Sequence, residues 1–304
     1  MAFDLDRINQ AVRSDPRAFM AECDAAYEAK IRDAAEKVAG RIQISPVVLL
    51  SGPSGSGKTT TAGKLEKALE RMGIETHTIS MDDYFRSYRE SDYPRTPDGG
   101  PDFESPLCLD IPLLNQHMEM LERGEEILIP HFNFSRQSRD TSHTTPLRVG
   151  KNEVVVFEGI HALNDLFAHP NATGIYISAR SNLRRNGEIV ISHTWTRFMR
   201  RTVRDYNYRG TEALSTMEMW PSIRRGEKLY ISPFKDCADL QFNTSLAYEV
   251  PVLRNYAEPL LKTLPENAPH LGNIRMMLEA IAQVEPLDAA LVPEDSLLQE
   301  FIKR

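Results

Sequence analysis

Gly52-Pro53-Ser54-Gly55-Ser56-Gly57-Lys58-Thr59 fills every defined position of the pattern G-x-x-x-x-G-K-[ST]. Just before it, Pro46-Val47-Val48-Leu49-Leu50 is a short, β-branched apolar run that reads as a buried strand. Just after it, Thr60 to Met72 has helical spacing and stops at Gly73. Strand, glycine-rich turn and helix in that order make a phosphate cradle, because glycines let backbone N–H groups turn inward and the helix presents its positive end to the same anion. Lys58 is then expected between the β- and γ-phosphates of ATP and the Thr59 hydroxyl on Mg²⁺, with Gly52, Ser54, Gly55, Ser56, Gly57 and Thr60 completing the cradle.

Outward from this unit the alternation continues. Thr76 to Met81, Glu153 to Phe157, Ile175 to Ser178 and Ala238 to Phe242 read as strands, and Leu107 to Arg123, Thr194 to Tyr208 and Leu246 to Leu261 as helices. Such a sequence predicts an α/β P-loop NTPase fold, a parallel sheet of about five strands with helices on both faces. Residues 1–43 are expected to form a helical N-terminal extension, since Phe19, Cys23, Tyr27 and Ile31 recur at helical steps within Pro16 to Val38. Residues 44–264 hold the P-loop domain, and residues 265–304 form a helical tail with patches at Ile274 to Val284 and Pro293 to Ile302. Ser87 to Pro106, rich in Pro, Gly, Asp and Ser, is longer than a connection requires and reads as a ligand-handling loop.

Bulk properties narrow the class. With 304 residues, 41% hydrophobic and 26% charged, the chain is an ordinary globular one, and its net charge of −7 argues against nucleic acid or an anionic membrane as a partner. The 3 cysteines, Cys23, Cys108 and Cys237, lack the spacing of a zinc site or disulfide framework. No apolar leader opens the sequence and no run approaches a membrane span, so a cytoplasmic location is expected.

Phosphoryl transfer also needs carboxylates. Glu158 ends the strand Glu153 to Phe157, where a doubly wound sheet presents groups to its ligand crevice, and suits Mg²⁺. Asp82 and Asp83 follow the second strand; alternation along a strand would turn only one of them to the ligand, and Asp82 is preferred as a proton acceptor and metal partner, with loop capping left to Asp83. Farther on, Arg197, Arg200, Arg201 and Arg204 recur at i, i+3, i+4 and i+7 and give one helix a cationic face. Together with the basic cluster Arg224-Arg225 beside Gly226, that face predicts a mobile lid over about 197–230 that closes on a triphosphate, with Arg197 and Arg201 acting in catalysis and Arg200 and Arg204 on the nucleotide.

Taken in order, the phosphate loop, Met81-Asp82-Asp83-Tyr84-Phe85, Phe103-Glu104-Ser105-Pro106, Pro130-His131-Phe132-Asn133-Phe134, Phe157-Glu158-Gly159-Ile160 and Thr196-Arg197-Phe198-Met199-Arg200-Arg201-Thr202-Val203-Arg204-Asp205 through Arg209-Gly210 resemble the uridine kinase and phosphoribulokinase family. The resemblance spans about Val47 to Leu261, and the added terminal segments and an insert at Asn182 to Ser192 resemble a bacterial nucleoside-kinase-like branch. It implies that Asp82 is the catalytic base and that Glu104, one methylene longer than the usual Asp, holds ribose hydroxyls. It also implies that Phe132 and Gln137 stand where uridine kinases usually carry Tyr and His for the base, with Asp83, Tyr84 and Arg139 on the same acceptor side. The expected function is Mg²⁺·ATP-dependent phosphorylation of a small-molecule hydroxyl, foremost the 5′-hydroxyl of uridine or cytidine. A kinase for another small alcohol, such as a sugar phosphate or vitamin precursor, and a non-catalytic ATP-dependent switch are the alternatives; homo-oligomerisation is left open.

Overall fold

The computed structural model describes residues 2–90, 92–167 and 169–302. Met1, Lys303 and Arg304, the outermost residues of the two extensions, lie outside the described residues. In chain order the strands and α-helices are β1 (Ala2–Asp4), α1 (Leu5–Ser14), α2 (Pro16–Ala39), β2 (Val47–Ser51), α3 (Lys58–Arg71), β3 (Glu75–Ser80), α4 (Ile111–Glu122), β4 (Ile127–Asn133), β5 (Ser138–Leu147), β6 (Glu153–Glu158) and β7 (Thr173–Ser178). They continue with β8 (Asn182–Arg185), β9 (Glu188–Ile191), α5 (His193–Arg209), α6 (Ala213–Gly226), β10 (Leu240–Asn243), α7 (Glu249–Lys262) and α8 (Leu271–Ile281).

The central sheet has 5 strands in the order β10-β7-β2-β6-β3, and every pairing in it is parallel. Its three inner strands, β7, β2 and β6, are buried on both sides because helices cover both faces. Val48, Leu50, Val154, Val156, Ile175 and Ile177 point to one face and meet α2, α3 and α7 through Ile31, Leu65 and Leu253. Their neighbours Val47, Leu49, Val155, Phe157 and Tyr176 point to the other and meet α4 through Leu114, Met118 and Leu121. β2 lies in the middle of the sheet, so the loop leaving its carboxyl end opens at the crevice between diverging neighbours.

Both terminal segments join the first of these cores. Tyr27 of α2 bonds its hydroxyl to Thr61 Oγ1 of α3 at 2.8 Å, and Leu297, Leu298, Phe301 and Ile302 are buried in the same cluster. The tail differs from the expected second helix: beyond α8 it runs through short 3₁₀ turns at Ala289–Leu291 and Leu297–Glu300. The N-terminal extension is likewise not wholly helical, since β1 adds in parallel to β8 of the inserted hairpin β8–β9, whose Asn186-Gly187 turn has φ of 52° and 85°. A second hairpin, β4–β5, and helix α6 also go beyond the sequence expectation. Strand β5 is polar on alternate and intervening positions alike, and α6 carries Pro221, so neither shows the usual periodic signal.

Candidate active site

The phosphate loop joins β2 to α3. A Cβ on Gly52 would lie 2.1 Å from the Ile177 carbonyl oxygen, while Gly55 and Gly57 have φ of 71° and 85°, so the loop's tight path depends on glycine at these positions. Lys58 Nζ stands 3.9 Å from Glu158 Oε1, and the Thr59 hydroxyl reaches the same carboxylate. Register explains the meeting of groups so far apart in sequence: Ser80 at the end of β3 pairs with Glu158 at the end of β6, which brings the segment after β3 to the loop.

That segment is a 3₁₀ turn, Met81–Tyr84, capped by the Ser80 hydroxyl. Strand alternation therefore does not govern Asp82 and Asp83, because the strand has already ended. Asp82 is aimed among the charges of Lys58 and Arg209, whereas Asp83 accepts the Phe132 N–H at 3.3 Å and lies 3.9 Å from His131 Nδ1. Asp82 meets water at the cleft mouth, yet protein atoms surround its carboxyl closely enough that desolvation raises its pKa against the pull of Lys58. Burial likewise raises Glu158 and lowers Lys58, each opposed by the other's charge.

The acceptor loop arrives from another direction. Asp102, buried, pairs with Arg225 at 2.8 Å and accepts the Tyr230 hydroxyl at 3.0 Å, which clamps the loop to the end of α6 and the π-helical turn Glu227–Ile231. Glu104 then packs against Gly226, where a Cβ would come within 2.3 Å of Glu104 Cβ. Gly226 has helical φ of −57°; it serves close approach and not flexibility. Burial pushes the Glu104 carboxyl up to about 7, with Arg201 opposing.

The cationic face of α5 divides in two. Arg197, 2% exposed, forms two hydrogen bonds to Glu227 at 2.8 and 2.9 Å and donates to the Ser54 carbonyl. Arg200, 0% exposed, donates to Glu249 at 2.5 Å and to the carbonyls of Gly55 and Thr244. Both stand behind the phosphate loop and hold its outward-facing carbonyls, so the expected closure of Arg197 and Arg200 over the nucleotide is not the arrangement found. Arg201 donates to Ser54 Oγ at 2.7 Å and pairs with Asp205, as do Arg204 and Arg209. Their charges bear on Glu104, Lys58 and Asp82 respectively, which places them at the cleft.

Of the acceptor-side residues, Tyr84 is buried with its hydroxyl on His117 Nδ1, and Arg139 pairs with Asp110 at 2.9 Å while donating to the Tyr84 carbonyl. Tyr84 thus ties the turn after β3 to α4, and Arg139 ties the β4–β5 hairpin to that turn. Phe132 packs with Phe85 and Phe134 at ring distances of 5.5 and 5.1 Å, and Gln137 is exposed at the hairpin turn with φ of 51°. Sequence reasoning missed Arg209, Thr244 and Glu300. Thr244 donates its hydroxyl to the Ser56 carbonyl at 2.6 Å, and Glu300 Oε2 accepts from the Thr60 N–H and hydroxyl at 3.3 and 2.8 Å. Neither Thr244 nor Glu300 sits in a motif; only the Arg209-Gly210 pair at a helix end carried a signal.

Residues 47–250 match the family described as Phosphoribulokinase / Uridine kinase. The chain belongs to that family. This kinase is 29% identical over 196 residues to a uridine kinase of Deinococcus deserti, covering 64% of this chain and 85% of that one. It is 26% identical over 193 residues to a uridine kinase of Halobacterium salinarum, with 63% and 76% covered. A Schizosaccharomyces pombe uridine kinase matches at 28% over 171 residues, which span 56% of this chain and 34% of that one. The kinase is thus a phosphotransferase with a hydroxyl acceptor, built on a P-loop fold. Among the described residues no helix is long and apolar enough to cross a membrane.

Proposed function

We propose that this kinase transfers the γ-phosphoryl group of Mg²⁺·ATP to the 5′-hydroxyl of uridine or cytidine. The reading is carried by one observation: Asp82, Lys58 and Glu158 converge at the carboxyl ends of β3, β2 and β6, where Lys58 feels both carboxylates. Asp82 Oδ takes the acceptor hydroxyl proton as that oxygen bonds the phosphorus, while the phosphorus–oxygen bond to the departing diphosphate breaks. Lys58 and the loop N–H groups stabilise the charge spread over the transferring group, and Arg201 and Arg204 add positive charge at the cleft edge. The glycine cradle and Ser56 Oγ, buried without a hydrogen-bond partner among the described residues, suit a phosphate chain. Thr59, Glu158 and Asp82 are the donors for Mg²⁺, which when bound neutralises phosphate charge. Mg²⁺ held by one or two carboxylates and a hydroxyl would take its remaining oxygens from the phosphates and water.

Glu104 is assigned to the acceptor's sugar hydroxyls. Because its folded pKa, about 7, lies above the ordinary carboxyl range, its contribution to stability is fully present below that range and is lost as pH rises through about 7. Its acceptor-binding form is the carboxylate. The acceptor KM is therefore expected to fall as pH rises through about 7, and Glu104→Gln should flatten that profile while leaving the KM for ATP in place.

A panel of nucleosides, sugar phosphates and vitamin precursors, incubated with the protein and Mg²⁺·ATP and resolved by mass spectrometry, tests the assignment. Phosphate gained by uridine or cytidine supports it; a panel in which no acceptor gains phosphate sinks it. Phosphate gained only by another alcohol supports a second reading, favoured by the hairpin: Phe132 offers no hydrogen-bond donor to a base, and Gln137 points outward at the turn.

A further inference from the structure

The direction of a nucleotide across the phosphate loop follows from the positions of the reacting groups. The γ-phosphate must face Asp82 and Glu104, so the remaining phosphates and the nucleoside run the other way, past the first turn of α3 and Thr60. On that side stands the chain's own C-terminal segment. Leu297 packs on Gly57, where a Cβ would fall 2.6 Å from Leu297 Cδ1, and Phe301 lies under the Arg200 guanidinium, 5.0 Å from the ring centre. Tyr208 donates its hydroxyl to the carbonyls of Gln299 and Ile302, and Asn207 donates to that of Phe301. With Leu297, Leu298, Phe301 and Ile302 at 0–1% exposure, the segment's backbone is anchored.

Its side chain at 300 does something the anchoring does not require. The half-buried Glu300 carboxylate accepts both the N–H and the hydroxyl of Thr60, donors of the turn that also presents Lys58 and Thr59 to a phosphate. Its charge bears on Lys58, Glu158 and Arg209. Beside it lies a cavity of about 360 Å³ whose lining mixes Lys67 and Arg71 with Lys64, itself paired with Glu28 and Asp295, and which leaves room for the carboxylate to swing away from Thr60.

We propose that Glu300 is a resident anion at the donor-phosphate position nearest the nucleoside, and that the nucleotide binds by exchanging with this carboxylate, so that Glu300 sets donor affinity. The inference rests on the nucleotide-binding reading given above. It makes the C-terminal segment part of the donor site even though 240 residues separate Thr60 from Glu300.

Calorimetric titration of the full-length protein with Mg²⁺·ATP tests it, on wild type, Glu300→Gln and Glu300→Ala, with thermal melts to establish folding. Glu300→Gln keeps an acceptor oxygen for Thr60 and removes the charge. Both variants are expected to bind Mg²⁺·ATP at least about fivefold more tightly, since two unit charges about 4 Å apart interact by roughly that factor even when fully screened by bulk water, and the gain should shrink as salt is raised. A role confined to holding the tail predicts the opposite, a lower melting temperature with unchanged or weaker binding. Unchanged or weaker binding by both folded variants, with wild type binding normally, overturns the proposal alone. If neither wild type nor variant binds Mg²⁺·ATP, the kinase assignment falls and takes the proposal with it.

Discussion

Asp82→Asn should abolish most phosphoryl transfer, lowering kcat by roughly 10²–10⁴-fold, the range for loss of a positioned general base. Binding of Mg²⁺·ATP, measured by titration, should change far less, because the amide leaves the loop and Lys58 in place. The substitution is nearly isosteric, and the carboxyl it removes is already disfavoured in its charged form by burial, so folding should not suffer. A variant that keeps wild-type kcat would remove Asp82 from the chemistry and turn attention to other carboxylates of the cleft. A variant that retains every cellular effect of the protein without turnover would instead favour a nucleotide-dependent switch.

The second large effect is on stability. Arg200→Ala leaves Glu249, itself 2% exposed, as a buried carboxylate that has lost its guanidinium partner, and breaking such a pair from one side costs on the order of 3–5 kcal/mol. It also frees the Gly55 and Thr244 carbonyls that Arg200 holds. The midpoint of denaturant unfolding should fall accordingly, and nucleotide affinity with it, because the loop loses its outer brace. Arg201→Ala, one residue along, is the contrast. Its partner Asp205 retains Arg204 and Arg209, so no buried carboxylate is left without a cation and stability should fall by less than for Arg200→Ala while kcat falls. Equal destabilisation by the two substitutions would show that the division of the α5 face described above is wrong.

These two residues mark the boundary between what could be read along the chain and what could not. Strands β2, β6 and β7 were legible because a parallel strand buried on both faces must be continuously apolar, and Val47 to Leu50, Val154 to Phe157 and Ile175 to Ile177 are. Hairpin β4–β5 was not, since Ser138 to Thr145 has no apolar face to announce a period. Strand alternation was expected to turn only one of Asp82 and Asp83 to the ligand, yet the structure ends β3 at Ser80 and carries both acids on a 3₁₀ turn. Gly226 was visible as a glycine, but its reason, the approach of Glu104, belongs to a loop more than a hundred residues earlier.

By itself the sequence determined the phosphate loop and the α/β framework that carries it, because both depend on contiguous residues: glycines that permit one backbone path, an apolar strand before them and a helix start after them. Periodicity also determined that Arg197, Arg200, Arg201 and Arg204 share one side of a helix. Only the tertiary structure decided what stands opposite that side. Glu227 and Glu249 absorb two of the charges into the scaffold, and Glu300 brings a carboxylate to Thr60 from the far end of the chain. A charge's role depends on its partner and on the water excluded around the pair, and neither is written in the spacing of the residues that carry it.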